Sequence, residues 1–307
     1  MWQYCAAERM NKMPEPLVSV IVATYRRDEV LRNALESLAK QSYQNIEIII
    51  VDDNGNAEWN AKVRSVTDAF GRRHPDAALT LIVNDPNQGA AKARNMGIAA
   101  AGGEYVTFLD DDDLYLEDKI KHQLEFMLEG GYDYSVTDLD LFYEDGRLAE
   151  HRRRSYLNKG GDLLTNHLMH SITGNDTLMF KKTYIDAIGG FEPIDIGDDF
   201  HLMLKAIDRG GRFGYLNRSD IHAFVHTKTA GLSSGDGKIK GENEVYAFKR
   251  KYFDRLSPKA RRYIRARHYA VIAYAEIRRK RYLACALNML KAGLSSPVAC
   301  IQILRQK

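Results

Sequence analysis

Apolar and polar positions along the first 110 residues follow two rhythms. Unbroken, β-branched apolar runs occupy residues 17–24 (LVSVIVAT), 46–51 (IEIIIV), 79–83 (LTLIV) and 104–109 (EYVTFL), the pattern of strands buried on both faces. Between the first two, Val30, Leu31, Ala34, Leu35 and Leu38 recur at helical spacing, and the Ala-rich segment NQGAAKARNMGIAAAGG before the fourth also reads as a helix. Strands alternating with helices predict a mostly parallel central sheet with helices on both faces, an α/β fold. Ligands of such sheets bind beyond the carboxyl ends of the strands. Here the first strand runs into TYRR, the second into DDNGN and the fourth into DDDD. Four adjacent carboxylates repel one another unless solvent, donors or a cation relieve them.

Composition places the chain among globular, enzyme-sized proteins: 307 residues, 45% hydrophobic and 28% charged. No apolar run approaches the roughly 18 to 20 residues that span a bilayer, and the first 16 residues lack a basic segment followed by an apolar one, so a cytoplasmic protein is expected. Cys5, Cys285 and Cys300 are widely separated, which predicts neither a disulfide framework nor a thiolate metal site.

The net charge of +3 hides a division. Residues 249–307 carry 16 Lys and Arg against Asp254 and Glu276, leaving 28 basic against 39 acidic residues in 1–248. An acidic body therefore bears a basic tail, and such asymmetry points to an anionic surface or to solvated helix faces.

A second acidic pair, Asp198 and Asp199, precedes Phe200, Leu202, Met203 and Ile207 at helical spacing. Helix capping is the ordinary role for such a pair. Beyond Gly241 the pattern turns wholly helical, with Ser257 and Pro258 marking a helix start. Three regions are expected: a tail over 1–16, an α/β domain over 17–240 in two halves (17–113 and 114–240), and a basic helical region over 241–307.

The segments VSVIVATYRR, IIIVDDNGN, NQGAAKARNMGIAAAGGEYVTFLDDDD and GGFEPIDIGDDFHLMLKA, in this order, resemble the family 2 inverting glycosyltransferases with the GT-A fold over about residues 17–235. A Rossmann dehydrogenase is disfavoured because no GxGxxG follows the first strand. A nucleotidylyltransferase is disfavoured because ATYRRDE holds no glycine for a phosphate loop. The resemblance implies a UDP-sugar donor and a divalent cation, Mn2+ or Mg2+, that neutralises the departing diphosphate. It maps the family's D-x-D element onto Asp110, Asp111 and Asp112, with Asp112 on the metal and Asp110 or Asp111 on the ribose. Asp113 falls to an outer position or to capping. Nucleotide contacts are implied for Thr24, for Tyr25 stacked on uracil and for Asp53 at its ring N–H. Asp52 would orient the loop, and Arg94 would serve the base, the diphosphate or an ion pair on its helix.

The family's Glu-Asp pair becomes Asp198-Asp199, with Asp199 as general base and Asp198 holding acceptor hydroxyls or positioning its neighbour. His226 is implied for the metal shell or a phosphate, with His222 competing and Lys228 and Ser233 as lesser candidates. ITGNDTLMF resembles the acceptor-side strand, although Asn175 and Asp176 also suit an ordinary turn. The chain departs from the family at Ala23, where proline is frequent, and at Arg26, where asparagine is frequent.

The implied function is transfer of a sugar from UDP to a glycan or lipid-linked saccharide, giving a β-linked product in cell-surface polysaccharide synthesis. Arg261, Arg262, Arg265 and Arg267 would then meet an anionic inner membrane leaflet. No nucleic-acid motif accompanies them. A non-catalytic sugar-nucleotide or glycan-binding module is the alternative, disfavoured because binding requires no base.

Overall fold

The computed structural model describes residues 15–172, 174–194, 197–225 and 235–305. The first part of the chain follows the predicted rhythm: β1 (Val18–Thr24), α1 (Asp28–Ala39), β2 (Ile46–Asp52), α2 (Ala57–Arg73), β3 (Ala78–Val83), α3 (Ala90–Ala100) and β4 (Tyr105–Phe108). All pairings among these four strands are parallel, in the order β3-β2-β1-β4. Along β1 the apolar side chains divide by parity, as a strand covered on both faces requires. Val18, Val20 and Val22 pack with Leu31, Leu35 and Leu38 of α1 and with Val63 and Phe70 of α2, whereas Ile21 joins Ile98 and Phe108 on the opposite side. Gly97 has a packing reason: a Cβ there would collide with the Ile21 side chain, so the small residue lets α3 lie close on the sheet.

The chain leaves β1 toward β2 and β3, then crosses to β4 on the other side of β1. This reversal opens a crevice at the carboxyl ends of β1 and β4, the topological switch point.

The chain continues with β5 (Leu114–Tyr115), α4 (Lys119–Gly130), β6 (Tyr134–Tyr143), β7 (Leu148–Arg152), α5 (Leu163–His170), β8 (Leu178–Lys181), α6 (Lys182–Ala187), α7 (Asp198–Arg209) and β9 (Phe213–Val225). The sheet extends as β4-β8-β6-β9-β5, with β7 on β6. Here the pairings are mixed: β8 runs antiparallel to β4 and β6, and β6 runs parallel to β9. The β4–β8 pairing, Tyr105 opposite Lys181 and Thr107 opposite Met179, places the turn at 174–177 beside the aspartate run.

Four helices follow: α8 (Gly235–Arg250), α9 (Pro258–Arg278), α10 (Tyr282–Ser295) and α11 (Pro297–Arg305). Ser257 caps α9 as its sequence predicts, its hydroxyl accepting the Ala260 N–H. Leu256, Ala260 and Ile264 pack with Phe200 and Leu204 of α7 and Leu164 and Leu168 of α5, so this part of the tail braces the domain. Two of the tail arginines face their own chain: Arg261 donates to the Leu256 carbonyl at 2.9 Å, and Arg265 lies over the Phe253 ring at 5.5 Å.

Candidate active site

Strand β1 ends in a pinned turn. The Thr24 hydroxyl donates to Asp111 Oδ2 at 2.6 Å and the Tyr25 N–H approaches the same oxygen at 3.4 Å. Arg26 has φ +56, a left-handed conformation that asparagine tolerates better than arginine, and its N–H donates to Asn54 Oδ1 at 2.8 Å. Tyr25 stands 46% exposed with the Arg26 guanidinium 5.0 Å from its ring centroid, an open aromatic face at the crevice.

Arg27, which the sequence pattern does not single out, holds two of the aspartates. Its guanidinium reaches Asp111 Oδ1 at 3.1 Å and pairs with Asp112. Asp112 and Asp111 hold the guanidinium charge against the cost of burial. Burial pushes the Asp111 carboxyl up to about 6 even though Arg27 and the Thr24 hydroxyl oppose the shift.

Asp53 is buried, and its carboxylate already accepts four bonds: from the Asn84 and Asn87 side-chain amides at 2.8 and 2.9 Å, and from the Gln88 and Gly89 N–H groups, both at 2.8 Å. The residue clamps the loop before α3. Asp52 is buried as well, and it orients the turn through the Asn54 N–H and side-chain amide. Gly55 completes that turn at φ +56, where a side chain would collide with the Asn87 backbone.

Arg94 joins the two acidic groups. From α3 it donates to Asp110 Oδ1 at 2.8 Å and to Asp198 Oδ2 at 2.7 Å, 104 residues along the chain. Its face lies 5.5 Å from the Phe191 centroid. Burial opposes the charge, but Asp110 and Asp198 outweigh it and hold the guanidinium ionised. The acid pair also caps α7: Asp198 Oδ1 accepts the Asp199 N–H at 3.0 Å, and Asp199 Oδ1 accepts the Phe200 N–H at 2.7 Å.

The group whose carboxylate oxygens converge is Asp110, Asp113 and Asp176, all within 4.8 Å of one another. Asp112, implied for the metal, is instead paired with Arg27. Asp176 Oδ1 accepts the Asp110 N–H at 2.6 Å, and Asp113 Oδ1 accepts the Phe224 N–H at 2.8 Å. Burial raises both Asp113 and Asp176; repulsion from Asp176 adds to the shift of Asp113 and repulsion from Asp110 to that of Asp176, while the hydrogen bond between the two carboxyls favours the charged form of Asp176. Buried carboxyls crowded in this way favour a neutralising partner such as a cation. Oxygen donors of this kind suit a hard divalent ion, so the residues fit the cation that the resemblance implies.

Behind the cluster lies Lys119, 1% exposed. Its ammonium donates to the Thr107 and Tyr115 hydroxyls, both at 2.7 Å. Burial lowers its proton affinity despite Asp176 and Asp220. Tyr115 in turn bonds the carbonyls of Phe108 at 2.5 Å and Asp176 at 3.1 Å, tying the two acidic turns together. Tyr115 and Lys119 are four residues apart immediately after the aspartates, a signal that acquires meaning only with a helix start at 119.

His226, Lys228 and Ser233 lie outside the described residues. The strand leading to them passes through Phe224, the residue bonded to Asp113. His222 sits in β9 opposite Leu114, with its ring 4.5 Å from Phe142.

Comparison with known proteins identifies the fold and the family. The chain is 29% identical over 312 residues to the succinoglycan biosynthesis protein ExoO of Rhizobium meliloti, covering 94% of this chain and 84% of that one. It is 30% identical over 129 residues to WfgD of Escherichia coli, a UDP-Glc:alpha-D-GlcNAc-diphosphoundecaprenol beta-1,3-glucosyltransferase, covering 42% of this chain and 48% of that one. The chain is also 38% identical over 133 residues to an uncharacterized glycosyltransferase of Haemophilus influenzae, a match that covers 42% of this chain and 51% of that one. Among solved structures, the TarS 1-349 fragment of S. aureus in complex with UDP-GlcNAc superposes with a TM-score of 0.61 at 18% identity, over 90% of this chain and 81% of that one. The fold is thus that of GT-A glycosyltransferases. The profile of the family described as Glycosyl transferase family 2 matches residues 19–187, more than half of the chain, and the protein belongs to that family.

Proposed function

We propose that this protein is an inverting glycosyltransferase that moves a sugar from a UDP-sugar to a hydroxyl of a lipid-linked saccharide, forming a β-linked product during synthesis of a surface polysaccharide. The observation that carries the proposal is the Arg94 bridge, which sets the Asp198–Asp199 pair of α7 beside the aspartate run at the switch point. The UDP-GlcNAc bound by the structural neighbour and the lipid diphosphate acceptor in the name of WfgD support the choice of donor and acceptor.

In this reading Tyr25 stacks on the uracil and Asp111 receives the ribose. Thr24 and Arg27 hold Asp111 in place until the nucleotide arrives. Asp53 acts at the base either through the loop it clamps or by exchanging an asparagine amide for the uracil N–H. Asp110, Asp112, Asp113 and Asp176 are the groups that would hold Mn2+ or Mg2+, whose charge would stabilise the leaving diphosphate. His226, implied by the family resemblance, would complete that shell or bond a phosphate. Asp199 takes the proton of the acceptor hydroxyl as it attacks the anomeric carbon from the face opposite UDP, which inverts the configuration. Asp198, fixed by Arg94, positions Asp199.

The basic C-terminal helices contact an anionic membrane where the acceptor resides. The reading as a non-catalytic binding module draws on the capping bonds of Asp198 and Asp199.

The test is release of UDP across a panel of UDP-sugars, with and without divalent cation, for the intact protein and for Asp199→Asn. Loss of a general base lowers turnover by about 10² to 10⁴, with UDP binding retained. A folded Asp199→Asn protein with near-normal turnover would reduce Asp199 to a cap. The same assay separates the metal candidates: Asp176→Asn and Asp112→Asn are each expected to weaken cation-dependent UDP binding, and a variant that leaves it unchanged removes that residue from the cation site.

A further inference from the structure

Helix α10 is built inside out. Leu283, Leu287, Leu290 and Leu294 recur at spacings of four, three and four, a single stripe down one face, and that stripe faces solvent. Leu283 and Leu294 are 76% and 79% exposed, and Leu290 is 60% exposed. The buried residue of the helix is Ala292. Tyr282 and Met289 are exposed on the same helix, and Val298 and Ile301 of α11 extend the apolar surface. Contiguous exposed apolar surface on this scale marks an interaction site.

Charge decides the occupant. After Glu276 the sequence contains no acidic residue but seven Lys and Arg. Arg278, Lys280 and Arg281 are exposed at the turn between α9 and α10, and Lys291 is exposed beside the stripe. Two copies meeting through this face would bring like charges together, whereas anionic lipid headgroups neutralise them.

Geometry decides the mode. Fourteen residues of α10 span about 21 Å, short of the roughly 30 Å of a hydrocarbon core, and α10 and α11 are bent by 116°. The pair suits lying in the interface, leucines inward, better than crossing it.

We infer that α10 and α11 form a membrane-insertion wedge, the four leucines entering the acyl boundary of an anionic bilayer while Arg278, Lys280 and Arg281 engage its headgroups. This deepens the reading of a lipid-linked acceptor, and it divides the tail by role: α8 and α9 brace the catalytic domain, and α10 and α11 dock it.

The experiment is co-sedimentation with vesicles of neutral phosphatidylcholine and with vesicles containing phosphatidylglycerol, at low and physiological salt. The intact protein is expected to bind the anionic vesicles and to remain partly bound at physiological salt, because insertion is not screened. Serine at Leu283, Leu287, Leu290 and Leu294 is expected to lower partition at least tenfold while transfer to a soluble acceptor stays unchanged. Glutamine at Arg278, Lys280 and Arg281 is expected to lower binding to anionic vesicles alone. A Leu290→Trp variant in which Trp2 and Trp59 are replaced by Phe reports directly, its emission quenched by brominated acyl chains, and serves if the serine variant fails to fold.

Absent quenching with folded protein overturns the inference. So does equal partition of intact and serine variants, or a dimer in solution that the serine substitutions dissociate without any vesicle binding. Vesicle binding needs no turnover, so its failure and failure of the transferase reading are separate results.

Discussion

At the residue scale the acidic run is legible and its partners are not. Four aspartates at the end of a predicted buried strand mark a site by their sequence alone. Asp176, by contrast, lies 66 residues from Asp110, and only the antiparallel β4–β8 pairing, which periodicity does not reveal, brings the two together. Arg27 is hidden for a similar reason, since an arginine two residues after the tyrosine carries no distinguishing pattern. Arg94 is visible as a cation on the helix before the site, but its second partner is fixed only by folding. Its double role makes a sharp prediction. Arg94→Lys keeps the charge but offers one ammonium in place of a planar fork, so either Asp110 or Asp198 loses its bond. A hydrogen bond to a charged group contributes about 1.5–3 kcal/mol, and kcat/KM is expected to fall roughly 10- to 150-fold in steady-state UDP release. A change below twofold would show that the bridge is dispensable.

At the scale of elements, α3 links the halves of the domain. Its Gly97 side lies on β1, while Asn95 reaches the loop before α7: the amide donates to the Phe191 carbonyl and accepts the Phe191 N–H, both at 2.8 Å. The Ala-rich sequence predicts the helix and its small-residue face, because close packing demands little side-chain volume. It does not predict the long-range bonds, since an asparagine on a helix is most simply solvated. Asn95→Ala leaves the Phe191 backbone groups without their partner at a cost of about 1–3 kcal/mol, loosening the segment that leads to Asp198 and Asp199. Turnover is expected to fall severalfold while the Kd for UDP, measured by calorimetry, stays within twofold. Equal loss in both would place the loop in nucleotide binding rather than in positioning the base.

At the scale of the whole molecule, the packing of the tail on the domain buries titratable groups, and it is the least legible feature. The Arg-rich composition of 249–307 points outward, yet Lys249 is 3% exposed and donates to the Ser171 hydroxyl at 2.9 Å. Burial among α5, α7 and α8 lowers its pKa to about 7, and lowers His167 to about 3 and His170 to about 4. His167 is held as one neutral tautomer: Nε2 lies 3.0 Å from the Phe200 carbonyl and Nδ1 accepts the Ile172 N–H at 3.2 Å. A second proton on Nδ1 would face that N–H. The linkage has a definite sign. As pH falls below the ordinary value of 6.5 the unfolded chain gains protons that folded His167 does not accept until about 3, so stability is lost across that window. At pH 5 the difference is about 1.5 pH units, or about 2 kcal/mol at roughly 1.36 kcal/mol per unit, with His170 acting in the same direction. Lys249 extends the trend, because between pH 7 and 10.5 the unfolded chain alone holds its proton and stability still rises with pH. Thermal unfolding followed from about pH 8 to about pH 5 is therefore expected to shift the midpoint downward by several degrees, at roughly 2–4 °C per kcal/mol for a chain of this order. His167→Gln, which presents an amide donor and acceptor without a titratable ring, is expected to unfold at a lower midpoint near the alkaline end of that range but with a shallower decline toward the acid end. A decline as steep as that of the intact protein would assign the acid sensitivity to groups outside this interface.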